Sequence, residues 1–165
     1  MASGDTLLIF TALNNEPPAT SYATLDFRNA HPVLDFDADA DESAVFTSVM
    51  PQHYSGATGV TVYLHWSATS ATSGDTIWDV SFERIGEGQL DVDSDSFAAA
   101  QSATATAPGT CGYVDIQAIA FTDGAQMDSV AAGELFRIKV TRDANNESDD
   151  MAGDAELSAV EVRET

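Results

Sequence analysis

The sequence has one cysteine and one lysine among its 165 residues, and it contains no long apolar run. The lone Cys111 excludes an internal disulfide and a cysteine-rich zinc site, so it is expected to be a small core or half-buried residue. No apolar stretch approaches the ~20 residues that a membrane helix requires, and the first ten residues lack the basic region of an export signal. We therefore expect a soluble protein, made in a cytoplasm, with no membrane partner.

Positive charge is scarce, with 6 Lys and Arg against 27 Asp and Glu, which gives a formal net charge of −21. Such a surface repels nucleic acids and anionic membranes, so a nucleic-acid partner is not expected. The apolar fraction of 44% and its regular patterning favour a folded domain over an acidic disordered chain. Screening by salt would relieve the self-repulsion, so a salt-loving host is one interpretation and an ordinary acidic protein is the other.

Signatures of catalysis are also missing. The sequence has no G-x-S-x-G, no H-E-x-x-H, no phosphate loop and no dinucleotide fingerprint. His31 precedes Pro32 in a predicted turn, His53 lies in a predicted loop and His65 lies on a predicted strand, so their sequence neighbourhoods indicate no shared site. We predict that the protein is not an enzyme, and we assign no catalytic residue, no metal ligand and no cofactor.

Alternation with a period of two runs through most of the chain. In VTVYLHWSAT, for example, Val60, Val62, Leu64 and Trp66 fall on one face of a predicted strand, and the residues between them fall on the other. Eight or nine such segments are separated by turn sequences such as Pro108-Gly109 and Asp123-Gly124. The pattern predicts an all-β fold, a single-domain β-sandwich with mostly antiparallel strands. The nine segments are TLLIFTAL, SYATLDFR, HPVLDFDA, ESAVFTSVM, VTVYLHWSAT, DTIWDVSFERIG, CGYVDIQAIAFT, ELFRIKVTRD and AELSAVEVRE.

Little helix is predicted: one turn over Ser96–Gln101 and another over Met127–Ala132. SATATAPGT is predicted to be a solvent-facing edge strand. Residues 1–5 are predicted to form a flexible N-terminal arm, and residues 143–154 an acidic surface loop between the last two strands. Nothing indicates a second domain, so residues 1–165 are taken as one unit.

Two aspartate-rich stretches resemble the start of a calcium loop. Asp35, Asp37 and Asp39 match its first three ligand positions, but Ala40 and Phe46 stand where glycine and the bidentate glutamate belong. The second stretch, DVDSDSFAAAQS, fails at the same two positions. We interpret the first as a strand end with Leu34 and Phe36 inward and the carboxylates outward. The alternative is a weak calcium site built from loops of two strands.

The aromatic residues divide into two groups. Trp66 and Trp78 could stack on a sugar ring, as in a carbohydrate-binding module, but each is in phase with the apolar face of its own strand and is therefore predicted to lie in the core. Tyr54, Tyr63 and Tyr113 are better candidates for exposed contacts.

Half of the positive charge falls within six residues, at Arg137, Lys139 and Arg142. This strip is a candidate interface that could pair with an acidic patch on a partner or on another copy of the chain. The alternative is local ion pairing with acidic neighbours, which contributes ~0–1 kcal/mol for each exposed pair.

Three segments resemble a known family: MASGDTLLIFTALNNEPP, GVTVYLHWSATSATSGDTIWDVSFERIG and the last 38 residues, which begin with DSVAAGELFRIKV. Together they are similar to small virion proteins of tailed phages of aquatic bacteria, a family with a jelly-roll-like β-sandwich. The resemblance covers nearly the whole chain and carries no catalytic residues over.

The resemblance implies a capsid decoration or cement protein. Such a protein would sit on the outer capsid surface of the virion, bind the major capsid protein and self-associate, most plausibly as a homotrimer. The alternative is a tail, fibre or baseplate component that docks onto a tail hub or binds host glycans.

Overall fold

The computed structural model describes residues 4–88 and 90–165 and shows ten β-strands. The only helices in these ranges are two single 3₁₀ turns, Ala12–Asn14 and Ala125–Met127. The strands are β1 Thr6–Thr11, β2 Thr24–Arg28, β3 His31–Phe36, β4 Glu42–Val49, β5 Val60–Ala68, β6 Asp75–Ile85, β7 Gln101–Thr106, β8 Asp115–Phe121, β9 Leu135–Arg142 and β10 Ala155–Glu164.

Two antiparallel sheets form the sandwich. The first, sheet A, has the order β2-β3-β10-β5-β8, and β1 pairs with the part of β10 that β3 leaves free. The second, sheet B, has the order β4-β9-β6-β7. The predicted all-β, jelly-roll-like sandwich is confirmed. SATATAPGT contributes β7 at an edge of sheet B, which brings the strands to ten.

The core lies between the sheets and is formed by the in-phase apolar residues of both. Trp66 from sheet A and Trp78 from sheet B are fully buried with ring centroids 6.0 Å apart, as predicted. Phe36 packs edge-on against Trp78 at 5.1 Å. Leu34 is also buried, so the prediction for the first aspartate-rich stretch is correct on its inward residues.

The predicted helical turns are displaced or absent. Residues 96–100 form no helix, and the turn expected over 127–132 lies instead at Ala125–Met127. In residues 96–100, a tertiary contact rather than helix propensity sets the backbone conformation, since the Ala98 N–H donates to the Phe82 carbonyl of β6 at 2.8 Å.

Cys111 is exposed, contrary to the prediction, because it lies in the turn that leads to β8 rather than on a strand. Residues 1–3 of the predicted arm lie outside the described residues. The rest of that arm is tied to β10 by backbone hydrogen bonds, from Gly4 N to Glu164 O at 2.7 Å and from Glu164 N to Asp5 O at 3.0 Å. No helix in the described part of the chain is long and apolar enough to span a membrane.

Candidate functional site

Buried polar residues lie at the centre of the outer face of each sheet. On sheet B, Ser81 and Glu83 are buried at the centre of the outer face, and Phe97 from the β6–β7 connection lies over it. On sheet A, Ile9 is 62% exposed and Ile116 is 51% exposed on opposite sides of the outer face. The edges of sheet A are therefore exposed, whereas Ser67, Glu156 and Glu161 at the centre of its outer face are buried, as Ser81 and Glu83 are on sheet B.

A groove of about 680 Å³ lies on the outer face of sheet A. Its walls come from segments far apart in sequence: the 3₁₀ turn after β1, the β2–β3 hairpin, the bulge in β10, the end of β5 and the turn before β8. The lining residues are Thr11, Ala12, Leu13, Arg28, Asn29, His31, Pro32, Val33, Ser67, Gly112, Val114 and Ser158.

The β2–β3 hairpin forms one wall of the groove because its turn is tight. Asn29 and Ala30 adopt positive φ values of 46° and 64° between the paired residues Arg28 and His31, as a two-residue turn that follows the twist of the strands requires. At the opposite wall, β10 changes register between Leu157 and Ala159. Ser158, at this bulge, lines the groove.

Arg28 is the main charged group of the groove. Its Nη1 donates to Glu156 Oε2 at 2.5 Å and to the Ala68 carbonyl at 3.0 Å, and its Nη2 donates to the Thr69 carbonyl at 3.3 Å. The hydrogen bond to Glu156 raises the pKa of the guanidinium. Because Glu156 is only 4% exposed, Arg28 supplies the counter-charge that a buried carboxylate requires.

Asp35 lies directly across from Glu156 in the β3–β10 pairing. Burial, together with the nearby charges of Asp154 and Glu156, raises the pKa of the Asp35 carboxyl to about 6. Its Oδ1 is buried and has no hydrogen-bond partner among the described residues. One carboxyl beside the groove therefore has a pKa well above its usual range.

A second polar group lies farther along the same face. Arg163 donates to both oxygens of Glu161, at 2.8 and 2.7 Å, and its guanidinium lies 4.2 Å from the ring centroid of Tyr63. Thr6 also donates to Glu161, and His65 Nε2 lies 3.6 Å from Glu161 Oε2. The hydrogen bond from Arg163 lowers the pKa of Glu161 to about 2. The face thus continues from the groove as an ion-paired surface.

The aspartate-rich stretches cap turns. The Asp37 carboxylate accepts the Asp39 N–H at 2.6 Å, and Asp91 accepts the Asp93 N–H at 3.0 Å. Among the described residues, no group of three or more His, Cys, Asp or Glu side chains could hold a metal ion. We assign no calcium ligand.

The candidate interface strip divides between two faces. Arg137 pairs with Glu83, and both Arg137 and Lys139 lie over the Phe97 ring, at 5.0 and 4.8 Å from its centroid. Arg142 points to the other side of β9 and is fully buried against Asp149. The prediction that Arg142 belongs to the interface strip is therefore corrected, because alternation along β9 directs its side chain toward the interior.

The fold places some of the tyrosines and histidines near the groove and others away from it. Tyr113 is 67% exposed beside the groove residues Gly112 and Val114, as predicted. The prediction for Tyr54 is wrong, since it is buried and donates to Asp123 Oδ1 at 2.8 Å. His31 lines the groove and His65 lies on the same sheet face, whereas His53 is in an exposed loop.

Most groove residues carry no sequence signal. Ser67, Ser158 and Arg28 belong to ordinary strand sequences, and only the pairing of distant strands brings them together. Gly112, the glycine before Tyr113, is the one residue whose type in the sequence could have indicated a close approach of the backbone to another segment. Gly112 has a φ of +79°, and a Cβ there would lie 2.8 Å from Arg28 Nη2.

No protein-family model matches the sequence, and no curated protein is significantly similar to it. Solved structures share the fold. A carbohydrate-binding module CBM36 in complex with calcium and xylotriose has a TM-score of 0.51 at 15% identity, with 94% of this chain and 99% of that chain covered. The CBM22-2 xylan-binding domain of Paenibacillus barcinonensis Xyn10C has a TM-score of 0.51 at 12% identity, with 92% of each chain covered.

A family 11 carbohydrate-binding module from Clostridium thermocellum, in complex with a β-1,3-1,4-mixed-linked tetrasaccharide, has a TM-score of 0.50 at 7% identity, with 100% of this chain and 98% of that chain covered. At these identities the likeness shows the fold alone.

These comparisons contradict the predicted capsid-cement function, because the folds that match over nearly the whole chain are those of carbohydrate-binding modules. That prediction is withdrawn. The phage-family resemblance, the capsid partner, the homotrimer and the virion location stay predictions.

Proposed function

We propose that this protein is a non-catalytic module that binds a linear, uncharged polysaccharide in the groove on the outer face of sheet A. The observation that carries the proposal is the groove itself, a large concavity on the outer face of one sheet, in a sandwich whose structural neighbours bind xylotriose, xylan and a mixed-linked glucan fragment.

The lining suits a sugar chain. Leu13, Pro32 and Val114 supply apolar surface for the C–H faces of pyranose rings, and Thr11 and Ser158 supply hydroxyl groups that can hydrogen-bond to sugar hydroxyls. Tyr113, between the lining residues Gly112 and Val114 in sequence, is exposed. Recognition of a carbohydrate needs this mixture of apolar faces and neutral hydrogen-bonding groups.

Charge favours an uncharged ligand. Although the chain has 27 Asp and Glu, none of the described residues that line the groove is acidic, and its one arginine is neutralised by Glu156. A net charge of −21 would repel a polyanion during approach, but it exerts no such force on a neutral chain. The outer face continues along β5 from Ser67 to Thr61, ~20 Å, which accommodates several sugar units.

Isothermal titration calorimetry with xylohexaose and mixed-linked glucan oligosaccharides tests the proposal. Ser158→Trp places a large ring in the groove and is expected to weaken binding at least tenfold without changing the thermal midpoint by more than a few degrees. Ala57→Trp, in an exposed loop, is the matched control and should bind as the parent protein does. Absence of binding to any neutral polysaccharide, or full binding by Ser158→Trp, would overturn the assignment.

A further inference from the structure

The groove is bounded differently at its two ends. At one end, the Arg28 side chain extends from the β2–β3 hairpin to the carbonyls of Ala68 and Thr69, where β5 ends. In the opposite direction along β5, the outer face of sheet A continues past His65, which pairs with Ile116, a residue that is 51% exposed.

The wall at the Arg28 end is continuous. Gly112 approaches so closely that a Cβ there would lie 2.8 Å from Nη2 and 3.2 Å from Cζ of Arg28. The guanidinium therefore fills the space between the hairpin and the turn before β8. The hairpin is further fixed at its turn, where His31 Nδ1 lies 3.2 Å from the Arg28 carbonyl oxygen.

The wall is also fixed in place. Arg28 is held by the carboxylate of Glu156, which is 4% exposed and accepts a second hydrogen bond from Ser67 at 3.3 Å. Moving Arg28 aside would leave that carboxylate buried without its cation, which is energetically costly. A ligand is therefore not expected to displace it.

We infer that the groove is closed at its Arg28 end and binds the terminus of a polysaccharide chain rather than an internal segment. This inference rests on the proposed function. A chain that enters from the His65 side has its last sugar stopped against Arg28 and Gly112, and its remaining units lie on the outer face of sheet A. An internal segment has a further sugar on each side and collides with the wall.

Binding stoichiometry distinguishes the two modes. The protein is titrated into xylan fractions of narrow, known length and, separately, into fractions twice as long. A chain-end binder saturates at one protein molecule per chain in both cases. A binder of internal segments saturates at about twice as many molecules on the longer chain, which would overturn the inference while leaving glycan binding intact. Absence of binding to both fractions and to mixed-linked glucans would instead overturn the proposed function.

Opening the wall gives an independent test. In the double variant Arg28→Ala/Glu156→Gln the bridge is removed, and glutamine avoids the unpaired buried charge that Arg28→Ala alone would create. We expect its stoichiometry on the longer fraction to rise above one per chain. Stoichiometry that stays at one in a folded double variant would show that Arg28 is not the barrier. If the variant does not fold, the titrations with the parent protein decide the question.

Discussion

Arg142 and Asp149 form a fully buried ion pair that joins the last residue of β9 to the loop before β10. Arg142 donates from Nε and Nη2 to the two carboxylate oxygens at 3.0 and 2.7 Å, and the two side chains are 0% and 1% exposed. The remaining guanidinium donors reach the carbonyls of Gly153 and Met151, at 2.9 and 3.0 Å. The acidic loop over 143–154 is thus anchored to the core by one of its own carboxylates.

Breaking this pair is expected to be strongly destabilising. Asp149→Ala leaves Arg142 buried without a counter-charge and should lower the free energy of unfolding by about 3–5 kcal/mol, measured by urea denaturation. Asp150→Ala removes the exposed carboxylate of the neighbouring residue, so it serves as the control and should lower the free energy of unfolding far less. Adding Arg142→Met to Asp149→Ala should restore part of the loss. A double variant as unstable as the sum of the single variants would contradict this coupling.

The raised pKa of the Asp35 carboxyl predicts how the stability of the fold depends on pH. Its pKa is about 6 in the folded protein and near 3.8 when unfolded, so between these values the folded state binds the extra proton. Its contribution to stability therefore increases as pH falls from about 7 to 4, by roughly 1–3 kcal/mol. Asp35→Asn should stabilise the protein at pH 7 and flatten this part of the profile, measured by urea denaturation at a series of pH values.

Asp39→Asn, in the exposed turn after β3, is the control for the overall effect of removing one negative charge. If Asp39→Asn stabilises the protein at pH 7 as much as Asp35→Asn does, general charge repulsion rather than burial of Asp35 is responsible.

Alanine substitutions at three glycines distinguish the cost of backbone strain from the cost of a side-chain contact. Gly112→Ala faces both a positive φ and the Arg28 guanidinium, Gly56→Ala faces only a φ of +65°, and Gly109→Ala faces neither. We expect losses of stability of roughly 2 kcal/mol, 1 kcal/mol and near zero, in that order, by thermal denaturation. Equal effects at Gly112 and Gly56 would mean that the contact with Arg28 is unimportant.

Tyr113 is expected to contribute to glycan binding. Because it is 67% exposed beside the groove, Tyr113→Ala should weaken binding of xylohexaose or a mixed-linked oligosaccharide by roughly tenfold, with little change in stability. Tyr22→Ala is the matched control, since Tyr22 is 49% exposed and lies outside the groove lining. Equal affinities of the two variants in calorimetry would exclude Tyr113 from the binding surface.

Salt should stabilise the fold. With a formal net charge of −21, self-repulsion opposes the compact state, and at 1 M salt the Debye length falls to ~3 Å. The thermal midpoint is expected to rise between 0.1 and 1 M NaCl, whereas an osmotically matched sucrose series gives the non-ionic contribution. A midpoint that rises no further in NaCl than in sucrose would show that repulsion is already compensated.

Alternation of apolar residues was sufficient to predict the sandwich, its core tryptophans and the inward Leu34 and Phe36, because a strand with one buried face must repeat every two residues. The same rule places Arg142 on the buried side of β9, but the composition of the strip suggested a common surface for all three basic residues. Asp149, seven residues away across a loop, supplies the counter-charge that a buried arginine requires, and a local pattern does not identify that partner.

Composition and residue order alone establish a net charge of −21 and the two-residue periodicity, and therefore predict an acidic all-β domain. The tertiary structure alone decided that Arg28 reaches Glu156 and Gly112, that Phe97 lies over the outer face of sheet B, and that the groove lies on sheet A. These features depend on which strands pair across more than a hundred residues, on the bulge at Ser158 and on how the connections fold over each sheet.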